Sequence, residues 1–300
     1  MQAVLILAHG DIDHLYRLCQ KMQEKFQVYV HIDKKSSLWV NGEYHKLDEL
    51  DVEYFSEVEV NWGSWSIGEA MYRLLKRALQ NPDINYFHII SGQDWPIKSI
   101  DEIYDFYDNN DNIYMYYGKA NEIVRSGESV LNWQKFYYNY DVIKRRTLFG
   151  KIYHRFIYHI QRILRIDKLK KYNIDYEIYI GSNWADLPRD SVEYAIQELE
   201  NNENFRKVLE TGCFSDEFWL PTVLCNSEEF KNQIDKNTHR FIKWEKRNGS
   251  FPAALDERDI DEIIQSDCYF ARKVVSGVSD KLVEKLACTI GQKYCEEDEI

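Results

Sequence analysis

Apolar residues follow distinct rhythms along the chain. From Ala3 to Ala8 they run unbroken, as in a parallel strand buried on both faces. From Asp11 to Lys25 they recur at helical spacing through Leu15, Leu18, Cys19 and Met22, and Phe26 to Ile32 reads as the next strand, ending at Asp33-Lys34-Lys35-Ser36. Strand, helix and strand within the first third form a βαβ unit. Ser66 to Leu79 predicts a helix with Ala70, Leu74, Leu75 and Ala78 on one side, and Tyr86 to Ile90 a strand left by the loop Ser91 to Pro96. Asp101 to Tyr107 predicts a short helix, Tyr176 to Ile180 a strand feeding a flexible turn at Gly181-Ser182-Asn183-Trp184, and Asp190 to Leu199 a helix. The last third mixes helices with loops, and Glu296 to Glu299 predicts a frayed acidic tail. With no internal repeat and no low-complexity stretch, the chain reads as one α/β domain over residues 1–300, a mostly parallel central sheet flanked by helices. Ligands of such sheets bind beyond the carboxyl ends of the strands, where His9 and Asp33 fall.

Charge complicates the middle of this pattern. The formal net charge of −12 argues against nucleic acid as the main partner. Yet from Lys144 to Lys171, within a basic helical segment of about 143–172, ten Lys and Arg side chains face a single acid, Asp167. Ile152, Phe156, Ile160, Ile163 and Leu164 interleave with them. This basic amphipathic pattern fits either peripheral contact with an anionic membrane or a solvated face packed on the domain. The 6 cysteines, Cys295 among them, form no CxxC or zinc spacing and are expected as reduced thiols. Val4 to Leu7 is too short for a signal-peptide core, and no apolar run spans a bilayer. A cytoplasmic protein is therefore expected, with any membrane contact peripheral. The 22 tyrosines and 8 tryptophans suit sugar rings and bases, or simply a core.

Candidate chemistry starts with absences. The chain has no GxxxxGK[ST] loop, GxGxxG, HExxH or serine nucleophile elbow. Two DxD pairs occur: Asp11-Ile12-Asp13 opens a helix, where capping explains it, and Asp259-Ile260-Asp261 lies in a helical pattern. After the central strand stands Ser91-Gly92-Gln93-Asp94, whose lone acid is a poor magnesium site, so no metal is expected. Ser215-Asp216-Glu217-Phe218-Trp219 sets two acids at the edge of an aromatic run, a setting that raises a carboxylate's pKa towards use as a base. Phe270-Ala271-Arg272-Lys273 offers two adjacent cations, able to hold an anionic leaving group or to cap a helix. Together the two motifs point to group transfer from a phosphorylated donor. Asp33 fits a uracil or ribose, or a cap. Asn61 to Ser66 brings two indoles, for ligand or core, and Asn183 with Trp184 suits sugar hydroxyls and a ring face. His9, His88 and His154 stand alone, and most such histidines are structural.

The ordered set of segments resembles the core-2/I-branching β-1,6-N-acetylglucosaminyltransferase family, which includes the peptide O-xylosyltransferases. The segments are Ile6-Leu7-Ala8-His9, His31 to Ser36, Trp62 to Ser66, Ile90 to Ile97, Gly181 to Trp184, Ser215-Asp216-Glu217, Arg240 to Trp244 and Phe270 to Lys273. The resemblance implies a GT-A-like nucleotide-sugar-binding fold and an inverting reaction on a UDP-sugar without metal or other cofactor. It makes Glu217 the catalytic base and assigns His9, Asp33, Arg272 and Lys273 to the nucleotide and diphosphate. Gln93, Asp94, Asn183, Trp184 and Trp244 fall to the donor and acceptor sugars. In the branching enzymes one diphosphate Arg lies upstream of the Lys; ungapped it falls near Ser250, and Arg247 is the nearest candidate. GlcNAc is the implied sugar, xylose and glucuronic acid the alternatives, and a glycan, lipid-linked in many bacterial pathways, the acceptor. Animal members carry a membrane anchor and many disulfides; without either, the chain is expected as a bacterial member making a surface polysaccharide. A non-catalytic carbohydrate-binding protein and a sulfotransferase are the competing classes, though the latter generally uses a phosphate loop at a helix start, which is not found.

Overall fold

Strands β1 (Gln2–Ala8), β2 (Gln27–Ile32), β3 (Val52–Phe55), β4 (Tyr86–Ser91), β5 (Asp94–Pro96), β6 (Ile113–Lys119), β7 (Val124–Arg125), β8 (Glu128–Ser129), β9 (Tyr179–Pro188), β10 (Ile234–Asp235), β11 (Arg240–Ile242) and β12 (Phe270–Arg272) form three sheets in the computed structural model. It describes residues 1–297, with side chains through 290. The main sheet has the order β10-β6-β9-β4-β1-β2-β3, and every neighbouring pair is parallel except the two made by β9. Alternation along β1 sends Ala3 and Leu5 into one apolar layer and Val4, Ile6 and Ala8 into the other. The helix Ser66–Ala78 covers the first layer through Met71, Leu74, Leu75 and Ala78. The helix Ile12–Met22 covers the second through Leu15, Leu18, Cys19 and Met22. This helix-sheet-helix sandwich is the expected fold class. A smaller sheet, β11-β12-β5, packs with the helix beginning at Asp280 around Leu255, Ile263, Val274 and Leu282.

Several expectations change. The predicted turn at Gly181-Ser182-Asn183-Trp184 is strand, inside β9, where Gly181 lies opposite Tyr117. The glycine serves close approach rather than flexibility: a Cβ there would meet the Tyr116 carbonyl oxygen at 2.1 Å. The loop after β4 contains β5, and the Arg272 end of the cation motif is a strand, so its helix-cap alternative falls away. Asp11 caps its helix, accepting from His14 N at 3.1 Å, and Asp259 is buried against Lys243 and Arg247. His88 and His154 are buried and hydrogen-bonded to Asp186 and Glu128. Cys19, Cys213, Cys225, Cys268 and Cys288 are unpaired. The side chain of Cys295 and the expected acidic tail lie outside the described residues. No helix among the described residues is long and apolar enough to cross a membrane.

Candidate active site

The strand order sets the place of the site. β1 runs beside both β2 and β4, so the chain leaves its carboxyl end in one direction and later returns on the other side, opening a crevice there. A cleft of about 480 Å³ occupies this edge. His9 follows β1, Asp33 follows β2, Ser91 ends β4 and Gln93 follows it; Asn183 and Trp184 come from the reversed strand β9. Glu217, Arg272 and Lys273 reach the same cleft from far along the chain. Asp33 is nearly buried, and its Oδ1 accepts from Val60 N at 2.9 Å and Lys35 N at 3.2 Å. His31, lining the cleft below it, is pushed down to about 4 by burial, despite the opposing charges of Asp33 and Glu57. Neutral, its Nε2 accepts from Val58 N at 3.2 Å.

Glu217 ends a short 3₁₀ turn, Ser215–Glu217, entered through Phe214 in left-handed conformation (φ 53). Phe214 N donates to the Gly63 carbonyl at 2.9 Å, its ring meets Trp62 edge-on at 4.8 Å, and Phe218 and Trp219 beyond the turn are fully buried. The turn is thus clamped on both sides, with Glu217 held at the cleft wall and about a quarter exposed (27 %). Loss of hydration raises its pKa, opposed by Arg125, whose Nη1 donates to Oε2 at 2.8 Å. Its neighbour Asp216 is buried and raised too, first by burial, then by the Glu217 charge, against the Asn183 amide donating to its Oδ2 at 2.5 Å. Asp216 Oδ1 and Asn183 Oδ1 are buried acceptors without a hydrogen-bond partner. Hydroxyl donors of a ligand would satisfy them.

Cations gather elsewhere in the cleft. Opposite Asp94 in the β12–β5 register, Arg272 donates through Nη1 to Asp94 Oδ1 at 2.8 Å and to Ser91 Oγ, and its guanidinium lies 4.5 Å over the Trp184 ring. Asp94 is fully buried beneath Arg272 and outside the cleft lining, so the structure makes it a support for that cation rather than a sugar contact. Lys273 Nζ reaches Ser250 Oγ at 3.1 Å; burial, then Arg272 and Arg146, lower its pKa. His9 is lowered as well, by dehydration against the cleft walls and by Arg272, Arg146 and Lys273 against Asp33, although much of its side chain faces the opening. An anion placed here would meet a pre-assembled positive field.

Two expected positions lie elsewhere. Trp244 is 65 % exposed beside Phe251 and absent from the cleft lining. Arg247 is held by Asp259 and Glu245, also away from the cleft. Two arginines the sequence reading missed are at the site. Arg125 sits on the β7–β8 hairpin, whose Glu128 is tied to Trp133 and His154. Arg146 lines the cleft with its guanidinium 4.5 Å from the Trp62 ring. Neither carries a local motif; each is found only by tertiary placement. Among the described residues, no group of three or more His, Cys, Asp or Glu side chains is placed to hold a metal ion.

A family model, Core-2/I-Branching enzyme, matches residues 3–264. The β-glucuronosyltransferase GlcAT14A of Arabidopsis thaliana is 29 % identical over 117 residues, 37 % of this chain and 26 % of its own length. GlcAT14B of the same plant is 29 % identical over 99 residues, 33 % of this chain and 23 % of its own. The matched region thus spans about a quarter of these relatives. Among solved structures, a glycosyltransferase involved in glycosylation of the major capsid of PBCV-1 overlaps 96 % of this chain and 100 % of its own, at 10 % identity and a TM-score of 0.34.

Proposed function

The chain belongs to the core-2/I-branching enzyme family and is a glycosyltransferase, and from that premise we propose that it transfers a sugar from a UDP-sugar to a glycan hydroxyl, with inversion and without a metal. The observation that carries this reading is a single cleft holding a dehydrated carboxylate, Glu217, together with the cations Arg272 and Lys273. The acceptor hydroxyl gives its proton to Glu217 while its oxygen bonds to the anomeric carbon from the side opposite UDP. The bond from that carbon to the β-phosphate oxygen breaks, and its electron pair leaves with UDP. Arg272 and Lys273 meet the growing diphosphate charge, and Arg146 stands close enough to join them. Asp33 and His9 face the nucleoside side of the cleft, and the unpaired oxygens of Asn183 and Asp216 suit sugar hydroxyls. The first acid of each DxD pair being engaged in other contacts, Asp11 with His14 N and Asp259 with Lys243 and Arg247, supports the metal-free reading.

GlcNAc is the proposed sugar. A second reading, a glucuronosyl donor, is favoured by the named activity of the Arabidopsis relatives and by the Arg146 guanidinium, which has no carboxylate partner among the described residues and would match a uronate. The product is proposed to be a surface polysaccharide assembled on the cytoplasmic side, with unpaired cysteines in keeping with a reducing compartment. Thermal-shift measurements with UDP-GlcNAc, UDP-glucuronic acid and UDP-xylose decide the donor, because a ligand at about a hundred times its Kd stabilises by roughly 2.7 kcal/mol. UDP release with the selected donor and a glycan acceptor, with and without EDTA, then tests transfer. Activity is expected to survive chelation; activity lost in EDTA and restored by Mn²⁺ or Mg²⁺ refutes the metal-free part.

A further inference from the structure

The helix Leu148–Ile163 inverts the usual arrangement of a surface helix. Its buried stripe is Gly150, His154, Tyr158 and Gln161, three of them polar or aromatic with hydrogen-bonding tips and one too small to fill space. Its solvent side carries most of the aliphatic and phenyl groups, while Ile157 packs half-buried against the core. At 100° per residue, Phe149, Ile152, Phe156 and Ile163 fall within about 60° of arc, opposite the buried stripe. They are 67 %, 59 %, 61 % and 78 % exposed, and Leu148 and Leu164 continue the row at either end. Six of the sixteen large apolar side chains exposed among the described residues therefore lie on this one helix and its cap. Such a row is an unpartnered binding face.

Charge selects what covers it. Lys151, Arg155 and Arg162 run along one flank, all exposed and with no ion pair among the described residues. Between Asp141 and Asp167 the chain has no acid and seven Lys or Arg. A second copy of the helix would set these cations against one another with no acid in the segment to answer them. An anionic bilayer supplies both complements at the depths the helix requires: acyl chains under the apolar row and phosphate groups beside the cations. Arg146, two residues before the helix, lines the cleft against Trp62, so the proposed membrane face adjoins the cleft mouth. We propose that the helix Leu148–Ile163 docks the protein on an anionic lipid surface through Phe149, Ile152, Phe156 and Ile163, flanked by Lys151, Arg155 and Arg162, and that the glycosyl acceptor is drawn from that surface. Only the acceptor clause rests on the transferase reading of the cleft.

Co-sedimentation of the full chain with phosphatidylcholine vesicles, with and without phosphatidylglycerol, tests the docking in the absence of any sugar nucleotide. Binding is expected with phosphatidylglycerol at low salt, absent with phosphatidylcholine alone, and lost at high salt. The double variant Arg155→Gln/Arg162→Gln is expected to partition about tenfold less or worse. Ile152→Gln/Phe156→Gln is expected to lose vesicle binding while keeping wild-type melting and wild-type thermal shift with UDP. Wild-type protein that ignores phosphatidylglycerol vesicles at low salt overturns the proposal. So does light scattering that shows a dimer dissolved by Ile152→Gln/Phe156→Gln, which makes the face a self-association surface. Vesicle binding with no UDP release on any acceptor retains the docking and sinks the transferase reading; UDP release on a soluble acceptor without vesicle binding does the reverse. If docking holds but a lipid-linked glycan in phosphatidylglycerol vesicles turns over no faster than a soluble one, the acceptor clause fails alone.

Discussion

Asp186 and Asp216 are buried and Glu217 is largely withdrawn from water, yet the protein drives their protonation in opposite directions. Burial alone would raise Asp186; the Arg240 charge, then His88, reverse this and hold it well below the usual carboxylate range. Arg240 donates through Nη1 at 2.9 Å and Nη2 at 2.7 Å, His88 Nδ1 lies 2.9 Å away, and Tyr107 donates at 2.8 Å. Every oxygen of Asp186 is engaged. At the cleft, Asp216 has one partner and an unpaired oxygen, and Glu217 has only a half-exposed arginine. There burial wins and the pKa values rise. A saturated buried carboxylate is a strut. An under-coordinated one is held ready to take a proton or a ligand's hydroxyl.

The largest effect expected from this contrast is on folding. Arg240→Ala strands a buried carboxylate and is expected to cost about 3–5 kcal/mol of stability, read by chemical denaturation. Because the folded-state pKa of Asp186 is depressed, its contribution is present above the carboxyl's ordinary value of 3.8 and falls away as pH drops below it. Loss of under a kcal/mol in Arg240→Ala would dissolve the distinction at its structural end.

Glu217→Gln is expected to do the opposite. Turnover should fall by at least about 10², the usual share of a general base, with UDP binding by calorimetry unchanged. Melting should hold or rise, since a raised carboxyl pKa means that ionisation at this place opposes the fold. A variant keeping more than a tenth of wild-type kcat removes Glu217 as the base.

A third variant asks whether the cations act on charge. Lys273→Ala is expected to weaken UDP about tenfold or more, as loss of a charged hydrogen bond does, and to lower kcat with it, while uridine binds both proteins alike. Equal UDP affinity would leave Lys273 a tether of the loop at Ser250 and Phe251.

The smallest shift is the most diagnostic. Arg125 pulls the Glu217 pKa down against burial, so Arg125→Gln should move the acidic limb of kcat/KM to higher pH, and Arg125→Lys should restore it. An unmoved limb means that Glu217 does not control the profile.

Much of this was legible in the sequence. β1, the helix after it, β2 and β4 announce themselves through long apolar rhythms, and His9, Asp33 and Glu217 fall where those elements and the motif order put them. What escaped has physical causes. β5, β11 and β12 are three residues each, too short for any periodicity to register, so the pairing of Asp94 with Arg272 across 178 positions left no trace. Trp244 is an indole expected at the sugar and Asn61 to Ser66 is left open between ligand and core, yet it is Trp62 that meets the cleft; a motif does not fix which way an indole points. Gly181 reads as part of a flexible turn because a glycine forced by a neighbouring carbonyl and one kept for freedom look identical in sequence.

The reversed direction of β9 has a practical corollary for engineering. Its pairing with β4 places Asp186 opposite His88, deep in the core, while Asn183 and Trp184 emerge at the cleft only about 7–10 Å earlier on the same strand. Asn183 and Trp184 form a window open to randomisation, because the clamp at Asp186 fixes strand register independently of what occupies them. A library confined to that window varies ligand choice on an anchored scaffold; one extended by two residues would be selected for folding instead.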